Sequence, residues 1–568
     1  MNRLLLLAGA LLTAGSAFAE WGNSIDSPVA VFPTGTLSYA TETKAAPDGS
    51  VWTVVYHPNL REAADEYDTG NVVYEYRVQH FDPSGNPTFP EEGLLVSDYK
   101  NLSYTVVNDY LLVDRDGNAV IAVADCRNST GSERSYTAYK ISSDGEFLWG
   151  EDGVALSDPL KPSAFAGCVN SVQLEDGSYV FAWSEYDSND VSHVCMQRLS
   201  DSGKAQWALD KAAITDAVSG YPYLVNSGDN TFILVYARTA SSVLYARKLD
   251  FECESVWGTD VRIYRGGWGS VPLHTILSVK SSGDGGVLVA WSDDRKGENR
   301  ESAYISYVTS DGALGFAGSS DEADVKLCYD EWRCFNVNAV PAADGSCFYA
   351  VWRRTDAAQY FQGVKIQKIS RRGELLWGDD AKDLWEAEDQ SLGYFSLQQA
   401  GADGACAFFE KYTEYFDQQC FAYRFDSNGD AVWPGGAVAV SEKGRQAASL
   451  ASQPYTAGTW LCTWTDVGTS ADDKATTYYM TCLDEEGTFG VYAAIEQVSC
   501  GKHALVCDGS TLRASVADGT VACIYTPLGA RVAECVFAGG VASFNLPTGV
   551  YIAAAEGCEA PVKFIVKH

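Results

Sequence analysis

Seven residues recur at one place in a repeated pattern and could carry chemistry: Asp125, Glu185, Arg238, Asp293, Arg354, Glu410 and Asp466. Each lies just after or at the end of an apolar run, as in "GGVLVAWSDDR" from Gly285 to Arg295. A second set, Tyr99, Phe165, Tyr221, Tyr223, Trp268, Trp332, Tyr394 and Phe395, falls in the segments that join one copy of the pattern to the next. Carboxylates such as Glu185 and Asp293 could act as general acid and base if two share a pocket at glycosidase separation. Aromatic rings beside polar groups suit a glycan or peptide, through stacking and oriented hydrogen bonds. Arg238, Arg295 and Arg354 could together hold a planar carboxylate, since guanidinium forks match that geometry. The competing expectations are structural: each arginine pairs with a carboxylate of its own hairpin, and the aromatics wedge between repeats, because large rings are usually mostly buried.

Other chemistries find no support. There is no Gly-x-Ser-x-Gly nucleophile elbow, no His-Glu-x-x-His and no phosphate-binding Gly-Lys-Ser/Thr loop. The six histidines, His57, His80, His193, His274, His503 and His568, are scattered. Asp114–Asn118 and Asp426–Asp430 look like calcium loops but lack the remaining ligands, and both sit where a hairpin turn is needed. Of the 16 cysteines, Cys406/Cys420, Cys462/Cys482 and Cys523/Cys535 flank hairpin turns and are candidate cross-strand disulfides, with free buried thiols as the alternative. No C-x-x-C occurs, which ranks zinc below both. Neither metal nor cofactor is expected.

The positioning elements are copies of one unit. An Asp-Gly or Asp-Asn turn leads into an apolar run ending in an aromatic: Tyr56, Trp183, Tyr236, Trp291, Trp352, Phe409 and Trp464, with Ala124 in the second copy. Asp-Gly is a hairpin signal, and the run is strand-like in length. Further on comes a Gly-x-x-x-Trp turn, as in "SSDGEFLWGEDGVALS" (Ser142–Ser157), whose aromatic recurs at Phe89, Trp149, Trp207, Trp257, Phe316, Trp377, Trp433 and Phe489. A strand lies between the two landmarks and another before the first. Four short strands per copy without helical periodicity predict an all-β fold, a β-propeller of about eight four-stranded blades, with seven as the alternative. The units fall near 34–98, 99–158, 159–218, 219–265, 266–330, 331–389, 390–443 and 444–492. Trp21-Gly22 and Val29-Ala30-Val31 read like the last strand of a unit placed before the first one. They are expected to complete the final blade and remove its open edge. Loops between strands two and three then share one face with the loops between blades, and that face carries both candidate sets.

The copies resemble the Asp-Gly…Trp-x-Asp-x-Arg and Gly-x-x-x-Trp-Gly units of secreted Bacteroidetes repeat proteins, with Gly285–Arg295 the best match. "SSDGEFLW" also has some likeness to the Asp-box turn of sialidases, but lacks the residue between Asp144 and Gly145. Past Gln497 the repeat gives way to short Ala- and Val-rich strands. There Ile524–Val532, Leu546–Ile552, Lys563 and Lys567 resemble a type IX secretion (Por) C-terminal sorting domain of type A. The resemblance implies a small β-sandwich over 498–568, with Gly529, Pro547, Gly549, Tyr551, Lys563 and Lys567 as its signal and the type IX secretion machinery as a partner. It places the protein outside, or on the outer surface of, a Gram-negative cell. The N-terminus agrees: Asn2-Arg3, an apolar Leu4–Leu12 and Ala17-Phe18-Ala19 read as a signal peptide over 1–19, leaving 20–492 for the propeller.

The net charge of −34, from 41 Lys plus Arg against 75 Asp plus Glu, disfavours nucleic acid and anionic membranes as partners. No apolar run after the leader approaches membrane-spanning length. The sequence thus predicts a propeller that binds an extracellular glycan or protein through Tyr99, Phe165, Tyr221, Trp268, Trp332, Tyr394, Glu185, Asp293 and Arg354, without evident catalysis. A secreted glycan- or peptide-degrading hydrolase is the alternative, and a scaffold role in a surface layer a third possibility.

Overall fold

The computed structural model divides the chain into two units, Glu20–Gly490 and one holding Val491–His568. In the first it describes residues 21–490 except 23, 32–38, 60–72, 100–109, 130–132, 164–165, 188, 190, 210, 213, 215–217, 239–242, 265–277, 296–299, 317–323, 402, 415–416, 457 and 467–476. In the second it describes 505–566 except 509–510, 515, 517, 526–530, 547–548 and 556–561. All regular structure among these residues is β-strand.

The first unit contains eight four-stranded antiparallel sheets, spanning 39–97, 110–155, 166–212, 219–264, 278–326, 333–389, 391–439 and 447–484, numbered one to eight here. In sheets one to seven the strands pair in chain order. Sheet eight has only three strands of its own, and its fourth is Val29–Ala30, with Val29 opposite Met480 and Ala30 opposite Tyr479. The second strands carry long apolar runs, and Ala119–Asp125 and Val287–Asp293 are buried along their whole length. Side chains on both faces are covered because a sheet lies on either side. Trp52, Val54, Ile121 and Tyr139 fill the gap between sheets one and two, and Tyr136, Trp149, Phe181 and Trp183 the gap between two and three.

The repeated tryptophan has a defined place in these gaps. Trp149, which precedes the fourth strand of sheet two, donates its indole N–H to the carbonyl of Asp201 in a turn of sheet three, at 2.8 Å. Its ring lies on Gly203, where an added Cβ would sit 2.7 Å from Cδ1 and φ is +79°. Trp257 does the same to Ser310 at 3.0 Å and Trp433 to Glu485 at 2.8 Å, each one sheet further on.

Sheet eight departs from the expected landmark. Phe489 forms a bridge with Leu483, the position that Leu314 and Leu375 hold opposite Val308 and Ile369. It is therefore two residues short of the tryptophan position. Trp21, fully buried, takes that role instead: its indole donates to the Pro83 carbonyl of sheet one at 2.9 Å, and its ring covers Gly85. Sheet eight meets sheet one again where Thr43 and Tyr478 share a hydroxyl hydrogen bond of 3.2 Å and Gln453 donates to the Thr43 carbonyl at 2.5 Å.

The three cysteine pairs do not form disulfides. Cys406 faces Arg424 and Cys420 faces Glu410, too far out of register to meet. Cys462 faces Thr481 and Cys523 faces Glu534, which turns Cys482 and Cys535 to the opposite side of the sheet. All six are free thiols, and all but Cys523 are buried. Asp114 and Asp426 are turn residues, each accepting backbone N–H bonds from two and four residues ahead.

The C-terminal unit has a three-stranded sheet (Val506–Asp508, Thr511–Arg513, Val541–Ser543) and a four-stranded one (Arg531–Val536, Val521–Tyr525, Gly549–Ala555, Val562–Val566). Leu512, Ile524, Phe537, Ala542 and Tyr551 share one core between them. Gly549 pairs with Val566, Tyr551 with Phe564 and Lys563 with Ile552. Gly529, Pro547 and Lys567 lie outside the described residues.

One inner-strand residue is out of keeping with its surroundings. Lys280, in the first strand of sheet five, donates to the Leu397 carbonyl of sheet seven at 2.8 Å. Only part of its surface reaches solvent, and burial, with a smaller push from Lys44, lowers its ammonium to about 8 from the ordinary 10.5. Lys44 is itself paired with Glu42 at 2.7 Å. Between those two values the unfolded chain binds more protons, so stability rises with pH from about 8 to 10.5 and the penalty is complete below 8. Lys280→Met is expected to raise unfolding stability at pH 7 by about 1–2 kcal/mol and to flatten that rise, as read by urea titrations at a series of pH values.

Candidate functional site

The loops between strands two and three and the loops between sheets leave the sheets at the same end, and most of the charge there is already committed. Trp291 donates its indole N–H to Asp293 at 2.8 Å, and Arg295 grips the same carboxylate through Nε at 2.9 Å and Nη2 at 2.8 Å. Arg295 also reaches Asp324 at 2.8 Å and lies 3.6 Å over the Tyr304 ring. Asp293 is 2% exposed. The motif Trp-x-Asp-x-Arg is thus a closed clasp across the outer strands of one sheet. Sheet two keeps only the Asp–Arg part, with Val123 in the tryptophan's place: Arg127 Nη2 meets Asp125 Oδ2 at 2.7 Å, and its guanidinium lies 4.3 Å from the centre of the Tyr99 ring.

The other charged positions follow suit. Glu185 accepts the Trp183 indole N–H at 2.8 Å. Arg238 meets Asp260 at 3.4 Å over Tyr245. Arg354 pairs with Asp383 at 2.8 Å and lies 4.8 Å over Trp332. Glu410 is fully buried, accepts from Tyr412, Gln418 and the Leu450 backbone, and is raised by burial above the usual carboxylate range. Arg238, Arg295 and Arg354 are therefore each held by a carboxylate of their own sheet and do not converge on one anion. Likewise Asp293 and Glu185 are held in separate sheets.

The aromatics divide differently. Tyr99 and Tyr394 are 41% and 50% exposed, Tyr221 and Trp332 are half-buried, and Phe395 is buried. Phe165 and Trp268 lie outside the described residues. Tyr221 and Tyr394 have φ values of +55° and +42°. Both sit where the innermost strand shifts register, between Gly220 and Tyr223 and between Gly393 and Ser396. Such bulges cost backbone strain and re-aim a side chain; at Tyr394 the ring ends in solvent. Sheets six and eight bulge likewise at Asn336 and Ser449. Four exposed aromatics at this end escaped the sequence reading: Tyr186, Tyr329, Tyr360 and Phe361, with Tyr360 at 68%. Their signal was an aromatic within a polar run, as in "TDAAQYF", which carries no repeat to draw attention to it.

Between sheets seven and eight, at the same end, lies a cavity of about 230 Å³ lined by Asp26, Glu442, Arg445, Trp464, Asp466 and Tyr479, among others. Among the described residues no group of three or more His, Cys, Asp or Glu side chains is placed to hold a metal ion.

No protein-family model matches the chain, and no curated protein matches it. Solved structures similar to it include the polysaccharide lyase Uly1, at 10% identity and TM-score 0.39, covering 70% of this chain and 94% of that one. The Hadza microbial sialidase Hz136 is 12% identical with TM-score 0.31, covering 61% and 66%. The endo-arabinase from Bacteroides thetaiotaomicron VPI-5482 is 15% identical with TM-score 0.28, covering 44% and 90%. Likeness at this distance transfers no substrate or mechanism.

If Asp293 is a structural clasp, Asp293→Ala should lower unfolding stability by about 2–4 kcal/mol, because Arg295 and the Trp291 indole lose a buried partner. Urea unfolding of the full chain measures this.

Proposed function

We propose that residues 20–492 form an eight-bladed β-propeller, closed by the N-terminal strand, that binds an extracellular glycan or protein ligand through the end carrying the inter-sheet loops. The observation that carries this reading is the contrast at that end: the charged groups are spent on clasps within single sheets, while Tyr99, Tyr186, Tyr329, Tyr360 and Tyr394 face solvent. Exposed rings on a rigid scaffold supply stacking area at low entropic cost. The hydrolase reading is less supported at its two named carboxylates, since Asp293 is bound by Trp291 and Arg295 while Glu185 accepts the Trp183 indole N–H in a different sheet.

Residues 498–568 are, on this proposal, a type IX sorting domain, and the protein works outside the cell. The small two-sheet unit with Tyr551 in its core is compatible with that role. No helix among the described residues is long and apolar enough to cross a membrane.

Two experiments test the proposal. Screened against glycans and extracellular matrix proteins, the full chain should bind a ligand that Tyr360→Ala with Tyr394→Ala weakens at least about tenfold, the scale of losing aromatic anchors; unchanged binding would remove this end from consideration. Deleting residues 498–568 in a type IX-competent host should trap the protein in the periplasm, whereas undiminished export would refute the sorting assignment.

A further inference from the structure

The outermost strand of sheet six is unlike its counterparts. In sheets one, two, seven and eight the fourth strand is described from end to end and runs two to four residues, whereas Lys382–Asp389 runs eight. Two local features let it continue. The third strand has Gly363 where the fourth closes over it, and a Cβ there would sit 2.8 Å from the Trp385 carbonyl oxygen and 3.0 Å from the Ala387 nitrogen. Beyond that bulge pairing resumes, with Glu388 opposite Gln362 and Asp389 opposite Phe361. Gln390 pins the far end, its side-chain amide donating to the Gln362 carbonyl at 2.7 Å and the Glu386 carbonyl at 3.2 Å.

This strand pairs on one side only, with Phe361–Ser370. Alternate residues of such a strand turn their N–H and C=O groups away from the sheet, which makes a template for one more strand. Short outer strands limit that opportunity in the four sheets named above, and sheet six keeps it. Its side chains restrict what can add. Lys382 and Asp383 are engaged, Lys382 with Asp430 at 3.7 Å and Asp383 with Arg354 at 2.8 Å. Glu386, Glu388 and Asp389 are exposed and make no ion pair among the described residues. A second copy of the strand would lay these carboxylates against one another, which like charges oppose, whereas basic side chains would pair with them. Phe361, opposite Asp389 and 49% exposed, offers a ring to the aliphatic stem of such a side chain.

We propose that the open edge of Lys382–Asp389 is a docking site for an extended, lysine- or arginine-bearing segment of a partner protein, which adds to sheet six as a fifth strand. Main-chain hydrogen bonds hold the segment and the three carboxylates select its charge. Binding along this edge is independent of the ligand proposed for the loop end.

The full chain is titrated by calorimetry with a capped heptapeptide of alternating lysine and valine, with its glutamate-for-lysine counterpart, and with a copy of the basic peptide N-methylated at every backbone nitrogen. The N-methylated copy keeps the charge but cannot donate to a strand edge. Saturable binding of the basic peptide is expected, at least about tenfold tighter than that of the other two, weakened by added salt, and accompanied by slowed amide exchange within residues 382–389. Glu386→Gln with Glu388→Gln should weaken it about tenfold and leave the thermal unfolding profile unchanged, since both side chains are exposed. No saturable binding, equal affinity for either control peptide, or full affinity in the glutamine variant would each overturn the proposal. Binding without slowed exchange in 382–389 would place the peptide elsewhere and overturn it too.

Discussion

An aromatic ring laid on the turn of the next sheet is the contact on which the first unit depends. Four-stranded sheets of this size cannot bury both faces alone, and each gains its second cover only from a neighbour. Trp149 on Gly203, Trp257 on Gly312 and Trp433 on Gly487 fix the spacing at one end of each gap. The indole N–H bond to a turn carbonyl then fixes the angle, since a ring that could only pack would be free to slide. The turn must be glycine there because a Cβ at Gly203 or Gly312 would enter the ring, quite apart from the positive φ.

Much of this was legible because packing repeats. The Asp-Gly turns, the apolar second strands and the tryptophan after the third strand recur with the fold's own period, so their spacing gives strand order and the number of copies. The eighth landmark was misread for the same reason. Phe489 has the right residue type near the right place, but a bridge to Leu483 sets it two residues early, and the true counterpart, Trp21, stands at the other end of the chain. Cysteine spacing misled similarly: pairing depends on register and on face, and neither can be counted along the sequence.

The candidate site was less legible because function here lies in what does not repeat. Asp293 and Arg354 were singled out by recurrence, and recurrence turned out to mark a clasp. Tyr360 and Tyr329, among the most exposed rings, have no counterparts to call attention to them.

The placement of Trp21 and Val29–Ala30 has a consequence for how the molecule is assembled. These are among the first described residues to be synthesised, and the strand partners of Val29 and Ala30, Met480 and Tyr479, are among the last of the unit. Seven sheets can form in order of synthesis from neighbouring segments, but the eighth must wait for both ends. Its loop closure is therefore the longest and slowest in the unit. Until then sheets one and eight each lack a neighbour, with Thr43 and Tyr478 facing the open seam. The nascent chain thus carries its closing strand unpaired through nearly the whole of its synthesis.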